Sequence, residues 1–287
     1  MFEYFINALH VLSHRIKRGE SRDQPRSFFS HSSFHVLFNA LEQFLGSYLN
    51  TIDLNAQCDI LATISQLHKL IEQVDWLPWL GDARALLDPR ELACVERRHR
   101  PGDRVNLILA YALHRLLLSV LLDIAPADVP IGRDAKGCPR VEGHPLWTSL
   151  SHAEGHLAFA FSRVGPVGID IEPSKRATEL PEIADRVSTP AEASVMQQLD
   201  GPARARALLE LWVRKEALLK AAGIGLERAM ETFDAPVGVP LRLEGLEAVR
   251  ARMLASGPDC VAAIASVEQA GVEGRGPDIQ WLRSTRM

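Results

Sequence analysis

The sequence predicts an α+β protein, and three observations lead there. Long helical patterns run from Arg104 to Leu122 and from about Ala203 to Ala222. Short apolar runs, His156 to Ser162 (HLAFAFS), Val167 to Glu172 (VGIDIE) and Cys260 to Val267 (CVAAIASV), have the length and composition of strands. The first helix followed by HLAFAFS is echoed by the second helix followed by CVAAIASV, which two helix-plus-sheet halves in one chain would explain. A single echo does not by itself establish a repeat.

Each element has a local reason. Residues 1–80 stand apart as an N-terminal extension: 21–33 are polar and punctuated, and apolar residues then recur at helical spacing over 37–49 and 60–74. A helical extension packed on the main domain and a poorly ordered leader fit this stretch equally. Asn106, His114, Arg115 and Ser119 interrupt the apolar helix 104–122, which makes it a buried core helix and not a membrane span. Gly132, Gly137, Pro139, Gly143 and Pro145 fit hairpin turns, and Gly165–Pro166 joins two strands. Gly223 sits where a helix-terminating glycine belongs.

The chain has 287 residues, 47% apolar and 24% charged, with a formal net charge of −4. That is enough for one or two ordinary domains and argues against a general nucleic-acid binder, whose balance is normally strongly basic. Cys58, Cys94, Cys138 and Cys260 are dispersed, without C-x-x-C or Cys/His spacing, so disulfides and structural zinc are not expected. Glu3 precedes the positive charges of the N-terminus, the reverse of a signal peptide. A cytoplasmic protein is the expectation.

Three short segments carry chemistry. In Gly168-Ile169-Asp170-Ile171-Glu172, strand alternation puts Asp170 and Glu172 on one face, their Cα atoms roughly 7 Å apart. Two carboxylates in one space suit a hard cation such as Mg²⁺; an edge strand with a solvated polar face explains them as well. In Trp212 to Gly223, Glu216 and Lys220 share a helix face, either as an exposed ion pair or as a third metal carboxylate beside a phosphate-binding lysine. In Ser149-Leu150-Ser151-His152, Ser151 and His152 could donate to phosphate oxygens, or His152 could be an ordinary residue at a strand entry. There is no G-x-S-x-G elbow, Walker A loop or G-x-G-x-x-G fingerprint.

Taken in order, S-x-S-H, G-I-D-I-E and W-x-x-K-E-A-x-x-K-x-x-G-x-G-L resemble the 4′-phosphopantetheinyl transferase superfamily, and the two-halves length resembles its Sfp type. The resemblance covers about residues 90–267. It implies two similar helix-plus-antiparallel-sheet halves related by pseudo-twofold symmetry, residues 81–166 and 167–287, behind an N-terminal extension that is helical or partly disordered. It implies Mg²⁺-dependent transfer of the phosphopantetheine arm of coenzyme A to a serine of an apo acyl, peptidyl or aryl carrier protein, releasing adenosine 3′,5′-bisphosphate. Position by position, Asp170, Glu172 and Glu216 match Mg²⁺ ligands, Lys220 matches a lysine on the coenzyme A diphosphate, and Lys215 supports the phosphates. Glu216 and Lys220 are thereby the catalytic pair, with Glu216 or a metal-bound water as base. Ser151 and His152 match coenzyme A contacts, and Arg104 matches an arginine that helps hold the nucleotide. Arg97, Arg98 and Arg100 lie where further basic contacts are expected. A monomer without nucleic-acid or membrane partners is expected, with Arg206 and Arg214 on a rim facing the carrier. In one departure, Lys136-Gly137-Cys138-Pro139 stands where the family often has G-K-P, putting Cys138 at the lysine position. A hydrolase of the coenzyme A diphosphate and a non-catalytic binding module are the competing classes.

Overall fold

The computed structural model describes residues 77–267, apart from 123, 135, 155, 244 and 257. The helical patterns read over 37–49 and 60–74, and the rest of the 1–80 extension up to residue 76, lie outside the described residues. The described part divides into two compact units, 77–129 and 130–267. Among the described residues no helix is long and apolar enough to cross a membrane.

The first unit is helical: α1 (Leu77–Ala85), α2 (Pro89–Glu96) and α3 (Pro101–Leu122). Asp88 caps α2 by accepting the N–H groups of Arg90 and Glu91, and the Glu91 carboxylate returns to the Asp88 N–H. This reciprocal capping box satisfies donors that a helix start leaves open. Glu91 also anchors buried Arg115 of α3, whose Nη2 reaches it at 3.0 Å while Nη1 donates to the Val129 carbonyl at 2.9 Å. The arginine read as a polar interruption in an apolar helix is therefore an internal cross-link.

The second unit opens with a small hairpin, β1 (Ile131–Arg133) and β2 (Pro139–Val141), where the glycine and proline pattern predicts one. Two antiparallel strands, β3 (Trp147–Ala153) and β4 (His156–Ser162), follow, then β5 (Val167–Pro173). After short turns come α4 (Ala184–Val187), α5 (Pro190–Met196) and the long α6 (Gly201–Ala222), then β6 (Leu241–Leu243), β7 (Leu246–Leu254) and β8 (Cys260–Val267). The last strands and β5 form an antiparallel sheet in the order β5-β8-β7-β6. Mixed helix and antiparallel sheet is the α+β architecture expected.

Alternation along the strands sorts this sheet into two dry faces. Ile169 and Ile171 of β5, with Ala262 and Ile264 of β8, pack against Ala158 and Ala160 of β4. On the other face Val261, Ala263 and Ala265 pack against Leu209, Val213 and Ala217 of α6. Register pairs Gly168 with Ala265, Asp170 with Ala263 and Glu172 with Val261, so those three β5 positions point to the α6 side.

Candidate functional site

Strand β5 lies at the edge of its sheet, yet every residue in it is buried. Its open side is bordered by β3, whose Ser149 Oγ accepts the Ile169 N–H at 3.2 Å in place of a neighbouring strand's carbonyl. The solvated edge strand considered for Asp170 and Glu172 is thus not what forms. Both carboxylates are inside, 4% and 8% exposed.

Helix α6 crosses directly over this strand. Asp200 caps its start, and Gly223 ends it in the left-handed conformation, φ +67°. Lys220 then reaches β5: its Nζ donates to Asp170 Oδ1 at 2.6 Å and to Ser151 Oγ at 2.9 Å, while Ser151 Oγ donates to the same Oδ1 at 2.8 Å. Three residues from three separate motifs therefore close one ring of hydrogen bonds. The other Asp170 oxygen, Oδ2, is buried without a hydrogen-bond partner among the described residues.

Glu216, one turn before Lys220, shares this electrostatic neighbourhood. Burial, with the Asp170 charge second, pushes Glu216 up to about 7 against the opposing pull of Lys220 and Arg176. Burial and then Asp170 likewise push Glu172 up to about 7, with Arg176 and Lys220 pulling the other way and Glu216 adding to the rise. Glu172 and Glu216, buried beside the Asp170 charge, resist ionising together.

The donor set suits a hard divalent ion. It consists of oxygens only, with one buried oxygen unpartnered and two carboxyls whose pKa values burial and then Asp170 raise. As the side chains stand, however, no group of three or more His, Cys, Asp or Glu among the described residues is arranged to hold a metal. Asp170 Oδ1 is turned to Lys220, and Glu172 Oε1 is paired with Arg176.

His152 is the next residue along β3 and lines an open pocket of about 270 Å³ with Glu172, Lys175 and Arg176. Lys175 pairs there with Glu154. Lys175 and Arg176 were not anticipated, although the run Glu172-Pro173-Ser174-Lys175-Arg176 puts two cations directly behind the acidic pair. The 3₁₀ turn Ser174–Thr178 folds Arg176 back onto Glu172.

Within the second unit, other expected residues are not brought to this cluster. Lys215 is fully buried and spends its ammonium on the Val187 carbonyl (2.8 Å), the Met230 carbonyl (2.8 Å) and Glu192 (2.6 Å). Burial lowers its pKa, which Glu192 and Asp234 oppose. Three N–H bonds are committed, and an ammonium has three to give, so none is left for a phosphate. The reason is angular, since adjacent helix residues point about 100° apart and cannot both face β5. Arg104 belongs to the helical unit, where its Nε donates to the Arg98 carbonyl at 2.6 Å. Arg206 pairs with Glu210, and Arg214 donates to the Ala235 carbonyl. In the departing turn, Lys136 pairs with Glu227 at 2.7 Å, and burial, with Asp134 second, raises the Cys138 thiol.

Comparison with known proteins points the same way as the motifs. Residues 166–251, which include β5 and all of α6, match the family model of the 4′-phosphopantetheinyl transferase superfamily. The chain is 28% identical over 191 residues to the 4′-phosphopantetheinyl transferase HetI of Nostoc, covering 65% of this chain and 81% of HetI. It is 28% identical over 139 residues to a 4′-phosphopantetheinyl transferase of Bacillus subtilis, covering 48% of this chain and 61% of the relative. Against the 4′-phosphopantetheinyl transferase AcpT of Salmonella typhi it is 32% identical over 109 residues, 38% of this chain and 56% of that one. The chain thus spans less than two thirds of the length of the latter two. The resemblance read from the three motifs is borne out at the level of the superfamily.

Proposed function

We propose that the protein is a phosphopantetheinyl transferase that moves the phosphopantetheine arm of coenzyme A to a serine of an apo acyl, peptidyl or aryl carrier protein. The observation that carries this reading is the ring of Lys220, Ser151 and Asp170 beside the raised carboxyls of Glu172 and Glu216. It places a lysine ammonium and a surplus of carboxylate oxygens side by side, which is what a metal-bound diphosphate requires. The superfamily match over the same elements supports it.

In this reading Asp170, Glu172 and Glu216 hold Mg²⁺, which supplies neutralisation of charge on the diphosphate. Lys220 adds a second positive contact, exchanging its bond to Asp170 for phosphate oxygens. His152 contributes a donor at the mouth of the site, in the pocket shared with Lys175 and Arg176. The carrier serine forms a new O–P bond as the P–O bond to adenosine 3′,5′-bisphosphate breaks. The serine proton has to leave during attack, and the Glu216 carboxylate, beside Asp170 and Lys220, is a candidate to accept it. Arg104 and the basic residues near it are assigned to the nucleotide by family resemblance alone. The same resemblance underlies the two pseudo-twofold halves and a monomer acting in the cytoplasm without nucleic-acid or membrane partners.

The deciding experiment is mass spectrometry of an apo carrier protein incubated with this protein, coenzyme A and Mg²⁺. A gain of about 340 Da, the mass of the transferred arm, is expected. Free phosphopantetheine with unmodified carrier would identify a hydrolase instead, and no product would identify a binding module.

A further inference from the structure

Arg176 touches two of the elements that carry the three carboxylates. It follows Glu172 by four residues and forms an ion pair with it. Its guanidinium carbon also lies 4.5 Å from the centre of the Trp212 ring, on α6 one turn before Glu216. Lys220 neutralises Asp170 in the same way, but Lys220 is additionally bound to Ser151. Arg176 is also partly exposed and lines the open pocket with His152. A guanidinium on Glu172 Oε1 and a divalent cation on the same carboxylate compete for its charge, because they repel each other.

We propose that Arg176 is a latch on the acidic trio: without metal it holds Glu172, and it competes with a divalent cation for that carboxylate. The inference rests on the reading of Asp170, Glu172 and Glu216 as a metal site. On release the guanidinium shifts across the Trp212 ring and turns into the pocket lined by His152 and Lys175. Arg176 thus acts on the metal through Glu172, as a positioning residue and not a catalytic one. The planar, delocalised guanidinium suits this use, since it can pair with a carboxylate and stack on an indole together.

The test is calorimetric titration of MgCl₂ alone into the full chain at about pH 8, where the carboxyls are ionised. Wild type, R176Q and D170N are compared, with R176M as a second variant that keeps apolar packing on Trp212 without the charge. Removing a competing, partly exposed ion pair should tighten Mg²⁺ binding by about twofold to fivefold in both R176Q and R176M. Tryptophan emission should change as Mg²⁺ is added to wild type, and this change should be lost in R176Q and in W212F. Unchanged or weaker Mg²⁺ binding in R176Q and R176M, with D170N unable to bind, would overturn the latch and leave the metal reading standing. Binding by D170N equal to wild type would overturn both.

Discussion

Gly168 lies so close beneath α6 that a Cβ there would come within 2.0 Å of the Ala217 carbonyl oxygen and 2.4 Å of the Ala221 nitrogen. Backbone, not a flexible side chain, occupies that space. The glycine of G-I-D-I-E thus sets how closely the carboxylates of β5 approach Glu216 and Lys220.

Gly168→Ala should therefore displace the helix. A loss of about 3 kcal/mol or more is expected, at or beyond the upper end of ordinary overpacking, because backbone must move. Transfer should fall even under conditions where the variant stays folded. Chemical denaturation together with carrier loading at low temperature measures both effects.

Removing the amine in Lys215→Met should cost about 3–5 kcal/mol, since Glu192 and two buried carbonyls lose their shared donor. At a temperature where the variant is folded, its KM for coenzyme A should match that of wild type. A large rise in that KM with unchanged stability would show instead that Lys215 serves the phosphates.

At the ring itself, Lys220→Ala and Glu216→Gln should each slow carrier loading by about a hundredfold or more while leaving circular dichroism unchanged. Asp170→Ala should abolish it. Folded mutants that load a carrier at near wild-type rate would remove these residues from the site.

Glu172 and Glu216 also predict a pH dependence. Both are raised from 4.5 to about 7 in the folded protein, so the native state binds more protons than the unfolded chain between those values. Their contribution is fully present below about pH 4.5 and is lost as pH rises through about 7. Without Mg²⁺, the melting temperature attributable to this cluster should fall over that window. Mg²⁺ should reverse the fall and release protons on binding, which calorimetry in buffers of different ionisation enthalpy can count. A proton count of zero at about pH 6.5 would contradict the raised carboxyls.

Much of this was legible in the residues. Strand alternation correctly put Asp170 with Glu172, and helix periodicity put Glu216 with Lys220, because both depend only on local geometry. The strands read at His156–Ser162 and Cys260–Val267 form with those limits. What failed to show depends on how one element is rotated against another. Nothing in K-E-A says that Glu216, and not Lys215, faces β5; the position of Gly168 under Ala217 and Ala221 decides it. His152 read as a residue at a strand entry, whereas it lies with Ser149 and Ser151 within β3, whose mixture of small polar residues hides its period. Arg176 went unnoticed because a 3₁₀ turn, which carries no apolar pattern, returns it to Glu172.

The contact of Lys220 with Asp170 and Ser151 also acts as a register mark between helix and strand. It lies one turn beyond the point where Ala217 rests on Gly168, so α6 is indexed twice along its own axis. A slip of one turn, about 5.4 Å, would bring Lys220 to the place of Glu216 and turn an oxygen donor into a cation. The composition of the site is thus a matter of axial position as much as of sequence, and the ring of three hydrogen bonds opposes such a slip.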